Sequence, residues 1–413
     1  MKVPVSGVST AYQPGHSNKN KVFFTLFFIF FILSSLVFYL QQTDFEWSAN
    51  RGLVVPDSVN MAETIDVLLS NGDFLTGSSS FVGVEVLYGW TWFLHPAFCF
   101  VLNSALMLAS ASLFKKSFII DLKLPAWAVL GLLANPYLIL VMPGPNKEIP
   151  LVFLTLCLAN ALLRHKPWWL ISLALCVPVY FLRDGYGLIM FFIVCLLRVM
   201  RSRKQLLPLA VLILSTVVAM LYEPLADFIP ALARNQKIYV ELSGNQELVG
   251  SLASSLGLQH LGPIGSIFLY LSRLIYNLLT LAFFPVLKTD EGHIYWLGLA
   301  YWGFGLIALM SWFSCVLEWL CKCSGSNRVQ LASSIALCVW FLISLTLFVQ
   351  PRYLMPMLPL SFVVMASLNP KIRNRCILVA LGLSFLCIAA YALIGNSTPL
   401  VVPGVFRTPP YVY

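Results

Sequence analysis

The sequence predicts an all-α, polytopic integral membrane protein with about eleven transmembrane helices, outer-face loops and helices lying along the membrane surface. Three observations carry this. Of the 413 residues, 59% are hydrophobic and only 10% charged, where a soluble domain carries about 25% charged residues. The mean hydropathy is +0.84. Apolar runs close to the roughly 20 residues that cross a bilayer recur from Lys21 to the C-terminus, so no stretch has the make-up of a large water-soluble enzyme domain. Soluble dinucleotide-binding, barrel and DNA-binding folds are excluded. The formal net charge of +9 does not imply a nucleic-acid partner, because in a membrane protein the positions of the charges matter more than their sum.

Those positions set the orientation. Lys2, Lys19 and Lys21; Lys115, Lys116 and Lys123; Arg164 and Lys166; Arg198, Arg201, Arg203 and Lys204; Lys322 and Arg328; and Lys371, Arg373 and Arg375 make 17 of the 26 basic residues, accompanied only by Asp121 and Glu318 among the 17 acids. The two sets contrast as +15 against −6, and the positive-inside rule makes the first cytoplasmic.

Residues 1–21 form a cytoplasmic tail, and 22–40 the first transmembrane helix, a retained signal anchor: about twenty polar residues precede it and no small-residue cleavage site follows. Residues 41–95 are an acidic outer loop, in which Asp57-Ser58 after Pro56 opens a surface helix with Val59, Ala62, Ile65, Val67, Leu68 and Leu69 on its apolar face. Its aromatic, Gly-rich end, 74–95, fits the interface. Residues 96–222 hold transmembrane helices 2–7, at 96–114, 125–143, 149–163, 167–182, 185–197 and 206–222, with a tight outer turn at 143–148 and Arg183-Asp184 outside. Residues 223–293 form an outer segment in which 264–286 is re-entrant or interfacial, since a crossing there would put Lys371, Arg373 and Arg375 outside. Residues 294–394 hold helices 8–11 and 395–413 an outer tail. The ten cysteines sit mostly in apolar runs and form no disulfide framework, and Cys321 and Cys323 lack the further ligands of a metal site.

Four features could carry chemistry. Asp57, placed at the membrane surface, could act as general base on a sugar hydroxyl; the competing reading is a helix cap. Lys147 and Glu148 lie in a two-proline turn between apolar spans, where an ionised group has to find a partner or water. Lys147 suits a phosphate oxygen, and Glu148 suits that Lys, a metal or an acceptor hydroxyl; otherwise the two satisfy one another. Arg352 and Tyr353 follow Pro351 at the outer end of a span, and Arg matches phosphate bidentately. Arg183, Arg234 and Lys237 fall on the same outer side, as cavity residues or interfacial anchors, and Arg183 could also pair with Asp184. No P-loop, zinc-protease, nucleophile-elbow or Rossmann motif occurs in a fitting context.

With the acidic first loop containing Pro56-Asp57-Ser58, the turn Pro145-Asn146-Lys147-Glu148 and Gln350-Pro351-Arg352-Tyr353-Leu354-Met355-Pro356, residues 22–368 resemble membrane glycosyltransferases of the GT-C type. Those enzymes take a sugar from a polyprenyl- or dolichyl-phosphate carrier at the outer side of the membrane. The resemblance implies Asp57 as base and Arg352 and Lys147 as ligands of the carrier phosphate. The chain departs from that family in lacking paired acids around Asp57 and a large soluble C-terminal domain, and a divalent metal is left open. The same features are similar to O-antigen and capsule polymerases. In that resemblance Arg183, Arg234 and Arg352 hold the pyrophosphates of two lipid-linked oligosaccharides under the segment 223–293.

The expectation is therefore a glycosyltransferase of cell-surface polysaccharide or lipopolysaccharide assembly in a bacterial inner membrane, with its N-terminus cytoplasmic. Its partners are a polyprenyl-phosphate- or pyrophosphate-linked sugar, a glycan or lipid acceptor and membrane lipids. The alternatives are a repeat-unit polymerase and a lipid or solute transporter.

Overall fold

The computed structural model describes residues 15–42, 61, 65, 82–94, 97–163, 169–200, 203–221, 225, 227–228, 263–283, 296–345 and 351–394. The described residues fold into fourteen α-helices with short 3₁₀ and π-helical connections. In chain order these are α1 (Gly15–Gln42), α2 (Val82–Leu94), α3 (Ala97–Phe114), α4 (Leu130–Leu133), α5 (Pro136–Val141), α6 (Glu148–Leu163) and α7 (Trp169–Leu182). Then follow α8 (Asp184–Val199), α9 (Leu207–Met220), α10 (Pro263–Ala282), α11 (Trp296–Cys321), α12 (Asn327–Ile343), α13 (Leu358–Ser367) and α14 (Pro370–Ile394). Five segments are long and apolar enough to cross a membrane, at Asn20–Leu40, Ala97–Ile120, Ile264–Ala282, Trp302–Cys321 and Pro370–Ala390, and six shorter apolar helices accompany them. Of the surface helix expected in the acidic loop, Met61 and Ile65 are described; both are helical and buried.

The helices sort into a shell and a centre. Most of the side chains of α1 and α14 stay outside the core, with Phe24, Phe28, Ile32, Leu378 and Phe385 exposed, as suits contact with lipid. α12 is the reverse, buried from Val329 through Trp340 and surrounded by α8, α9, α11 and α13. Lipid gives little hydrophobic drive between helices, so packing rests on close approach and interhelical hydrogen bonds. The run Ala332-Ser333-Ser334 supplies both: small side chains admit the neighbours, and the Ser333 hydroxyl donates to the Cys315 carbonyl of α11 at 2.6 Å.

The expected third span, 125–143, is broken into a 3₁₀ turn, α4 and α5. Pro136 has no N–H to continue a helix, and Asn135 starts a new one by accepting a hydrogen bond from the Tyr137 N–H at 3.1 Å through its side chain. α10, in the stretch read as re-entrant or interfacial, is a 20-residue helix whose length and composition also fit a crossing. Its Tyr270 hydroxyl donates to the Phe341 carbonyl at 3.1 Å and its Asn277 amide to the Ser344 hydroxyl at 3.0 Å. The Ala282 carbonyl accepts from Trp302 at 3.3 Å and Ser384 at 2.6 Å.

Charge segregates along the bundle. Lys115, at the π-helical end of α3, lies 4.7 Å from the ring centroid of Phe23 near the start of α1. Arg198 lies over Trp169 and Arg373 over Trp127, and the Trp319 indole donates to the Gln205 carbonyl at 2.9 Å. These contacts gather the described basic clusters at the ends of their helices, here called the basic end. The turn before α6, the α7–α8 junction and the 3₁₀ segment Pro351–Met357 occupy the opposite ends of theirs.

Candidate functional site at the end opposite the basic clusters

Two asparagines build the turn that leads into α6. The Asn146 side chain accepts from the Ile149 N–H at 2.9 Å, capping α6, while its amide donates to the carbonyls of Val141 and Gly144, each at 3.0 Å. From α3, the Asn103 amide donates to Met142 at 2.9 Å and again to Gly144 at 3.0 Å, and its oxygen accepts from the Tyr88 hydroxyl at 2.5 Å. The carbonyls of Val141, Met142 and Gly144 are thus satisfied within the fold, which lets this part of the turn be buried.

Burial is what makes this turn unusual. Lys147 is 6% exposed and Glu148 2%, and Glu85, one turn before Tyr88 on α2, is also 2%. Ionised groups are rarely taken out of water unless partners or a function hold them there. Lys147 and Glu85 both have partners in the fold. The Glu148 Oε1 atom is buried and accepts no hydrogen bond, although Glu148 stands in the first turn of α6, where the helix dipole favours an anion. α2 is not among the candidate spans. Burial holds its Tyr88 phenol well above the ordinary value, and Cys99 and Glu148 push it the same way, so Tyr88 remains a proton donor to Asn103.

A second group stands where α7 meets α8. A Cβ on Gly83 of α2 would lie 2.6 Å from the Phe181 backbone of α7, and only glycine permits this contact, which brings α2 against the end of α7. The next turn holds Arg183, whose guanidinium lies 3.8 Å from the ring centroid of Tyr353, a cation–π stack. Tyr353 belongs to the 3₁₀ segment Pro351–Met357, which packs on α6. Thr155 of α6 and Tyr186 of α8 are buried, 1% and 3% exposed, with their hydroxyls next to one another and no other partner.

The structure therefore brings together elements bearing four sequence-predicted residues, Lys147, Glu148, Arg183 and Tyr353. Arg352 precedes Tyr353 in the 3₁₀ segment, its side chain outside the described set, and the side chain of Asp184 is likewise outside it. Asp57, Arg234 and Lys237 also lie outside the described residues. Sequence reasoning missed Glu85, Tyr88, Asn103, Thr155 and Tyr186 as site residues. The available signal was a polar side chain in an otherwise apolar run, clearest for Glu85, the only acid in 74–95. Among the described residues no group of three or more His, Cys, Asp or Glu could hold a metal ion.

A groove of about 400 Å³ runs between α1, the broken α4–α5 pair and α11, lined by apolar residues including Leu26, Phe30, Leu133, Pro136, Ile139 and Ile307. α5, which forms one wall, is followed in the chain by the Asn146 turn. No protein-family model, curated protein or solved structure matches this chain.

Proposed function

We propose that the protein is a membrane-embedded glycosyltransferase that uses a polyprenyl-linked sugar in cell-surface polysaccharide assembly, at the outer face of a bacterial inner membrane. In this reading the chain makes about eleven crossings with the basic end cytoplasmic. The observation that carries it is the buried Lys147–Glu148 turn beside the Arg183–Tyr353 stack, at the end of the bundle away from the basic clusters. A cationic group at that end suits the carrier phosphate, and the apolar groove beside α5 suits the prenyl chain.

The reaction this arrangement fits is displacement at the anomeric carbon. A carboxylate, for which Asp57 is the proposed group, takes the proton of the acceptor hydroxyl as its oxygen forms the new C–O bond. The bond from the anomeric carbon to the carrier phosphate oxygen breaks, and the phosphate departs with its charge held by Lys147, Arg352 and Arg183. The buried charged residues among those described, Glu85, Lys147, Glu148 and Glu318, lie toward helix ends. That favours interfacial chemistry over a transporter's central charged path.

A repeat-unit polymerase is favoured by one observation of its own. Arg183 stacks on Tyr353, the residue after Arg352, so an arginine from a distant part of the chain is held against the segment that carries another, which suits two pyrophosphates. Deleting the gene in its host and restoring it as wild type or Asp57→Asn separates these readings on a gel of surface glycans. Collapse of a long ladder to one repeat unit identifies a polymerase; a small, uniform mass loss identifies a single-sugar transferase. An unchanged profile on deletion sinks both.

A further inference from the structure

We infer that the start of α6 seats the hydroxyl face of a carbohydrate, with Glu148 Oε1 accepting a hydrogen bond from one sugar hydroxyl and the hydroxyls of Thr155 and Tyr186 meeting others. The inference rests on the transferase reading for the class of ligand; the burial of Glu148 and its unbonded Oε1 stand apart from that reading. Three polar atoms on residues less than 4% exposed are left under-satisfied: Glu148 Oε1 accepts no hydrogen bond, and the Thr155 and Tyr186 hydroxyls have only one another. Leaving one such atom unsatisfied is costly, and native folds rarely cluster several without a ligand or water to complete them.

The chemistry of the missing partner follows from the three atoms. Glu148 Oε1 can only accept while the carboxylate is ionised, so its partner must donate. A phosphate offers acceptors and negative charge, and is therefore excluded from this position. An ammonium or metal cation is disfavoured by Lys147, the adjacent buried positive charge. Thr155 and Tyr186, next to one another, keep one donor and spare lone pairs between them, which matches a group that both donates and accepts. A sugar hydroxyl meets all three requirements.

The spacing gives the seat a direction. Glu148 and Thr155 are seven residues apart on one helix, hence on the same face and about 10 Å apart along its axis. A ligand touching both extends down α6 rather than resting on the turn. The site is thereby divided: anionic carrier groups belong with Lys147, Arg183 and Arg352, and the uncharged sugar surface belongs with Glu148, Thr155 and Tyr186.

The test uses the full-length protein purified in a sugar-free detergent, with thermal unfolding as readout. The probe is octyl β-glucoside, and tetraethylene glycol monooctyl ether, which has the same alkyl tail and no sugar, is the control. The glucoside is expected to raise the unfolding midpoint of the wild type by several degrees over the control. Glu148→Met loses that difference, Glu148→Gln keeps part of it through its remaining acceptor oxygen, and Thr155→Val and Tyr186→Phe each reduce it. An equal shift in wild type and Glu148→Met, or none in wild type, overturns the inference and leaves water as the occupant. Should the surface glycans survive deletion of the gene while the Glu148-dependent shift persists, the transferase reading falls and the sugar seat stands.

Discussion

Glu148 and Glu318 are both buried glutamates at helix ends, 2% and 0% exposed, and they are handled in opposite ways. Glu318 sits in the last turn of α11, where the helix dipole disfavours an anion, and both of its oxygens are engaged. Oε1 accepts from the Ser324 hydroxyl at 2.6 Å and Oε2 from the Ser324 N–H at 2.8 Å. These bonds hold a loop in which Lys322 and Gly325 adopt left-handed φ angles of 50° and 64°. Glu148 has the favourable end of its helix, and its Oε1 has no partner. Burial alone therefore does not mark a site. A carboxylate that the fold spends bonds to satisfy is a fastener, whereas one held in place with an oxygen left open is available to something else.

The largest effect on stability is expected at the fastener. Glu318→Ala removes the acceptor of two part-buried donors and releases a loop in which Lys322 and Gly325 are left-handed. Its expected cost is about 3 kcal/mol, read as a lowered unfolding midpoint and faster proteolysis in the 322–326 loop. A variant as stable as wild type would show that water or a neighbour replaces the carboxylate, and the contrast with Glu148 would lose its first half.

Asn146→Ala is expected to be intermediate. It removes the cap of α6 and one of the two donors to the Gly144 carbonyl, while Asn103 keeps the other. A lost cap costs about 1 kcal/mol, and the Val141 carbonyl is left unpaired in addition. The protein should still insert and fold, with a lowered unfolding midpoint. Function should fall further than stability, because the cap fixes the turn that places Lys147 and Glu148. A loss of surface glycan no greater than the loss of folded protein would mean that the turn is scaffold only.

The parts of this comparison were unequally legible in the sequence. Long apolar helices announce themselves by composition, so 22–40 and 206–222 lie within or close to α1 and α9, and the aromatic stretch 74–95 contains α2. Lys147, Glu148, Arg183 and Tyr353 stood out because polar groups between or at the ends of apolar runs are expensive. The break at Asn135-Pro136 was readable from cap and proline rules, but the long apolar run hid it. What no local pattern contains is the pairing: that Asn103 would satisfy the Gly144 carbonyl, that Arg183 would find Tyr353, or that Ser324 would fill Glu318 while nothing filled Glu148 Oε1. Those depend on which helices pack together, and here the packing turns on contacts such as the one Gly83 permits.

The smallest loss of stability, and the one that sharpens the comparison most, is expected for Glu148→Met. Removing an anion from the first turn of α6 forfeits about 0.3–1 kcal/mol of dipole interaction. Removing a buried oxygen without a partner returns a desolvation penalty of about 1–3 kcal/mol. The gain equals or exceeds the loss, so the variant should be as stable as wild type or up to about 2 kcal/mol more stable, while the proposed transferase activity, read as surface glycan, is lost. Buried charges kept for structure do not behave in this way: breaking one destabilises by several kcal/mol. A Glu148→Met protein as unstable as Glu318→Ala would mean that Glu148 is also a fastener, through contacts of its other oxygen, and the site would then have to be rebuilt around Lys147 and Arg183. A stable, inactive variant would mean that the fold retains this carboxylate for what it binds.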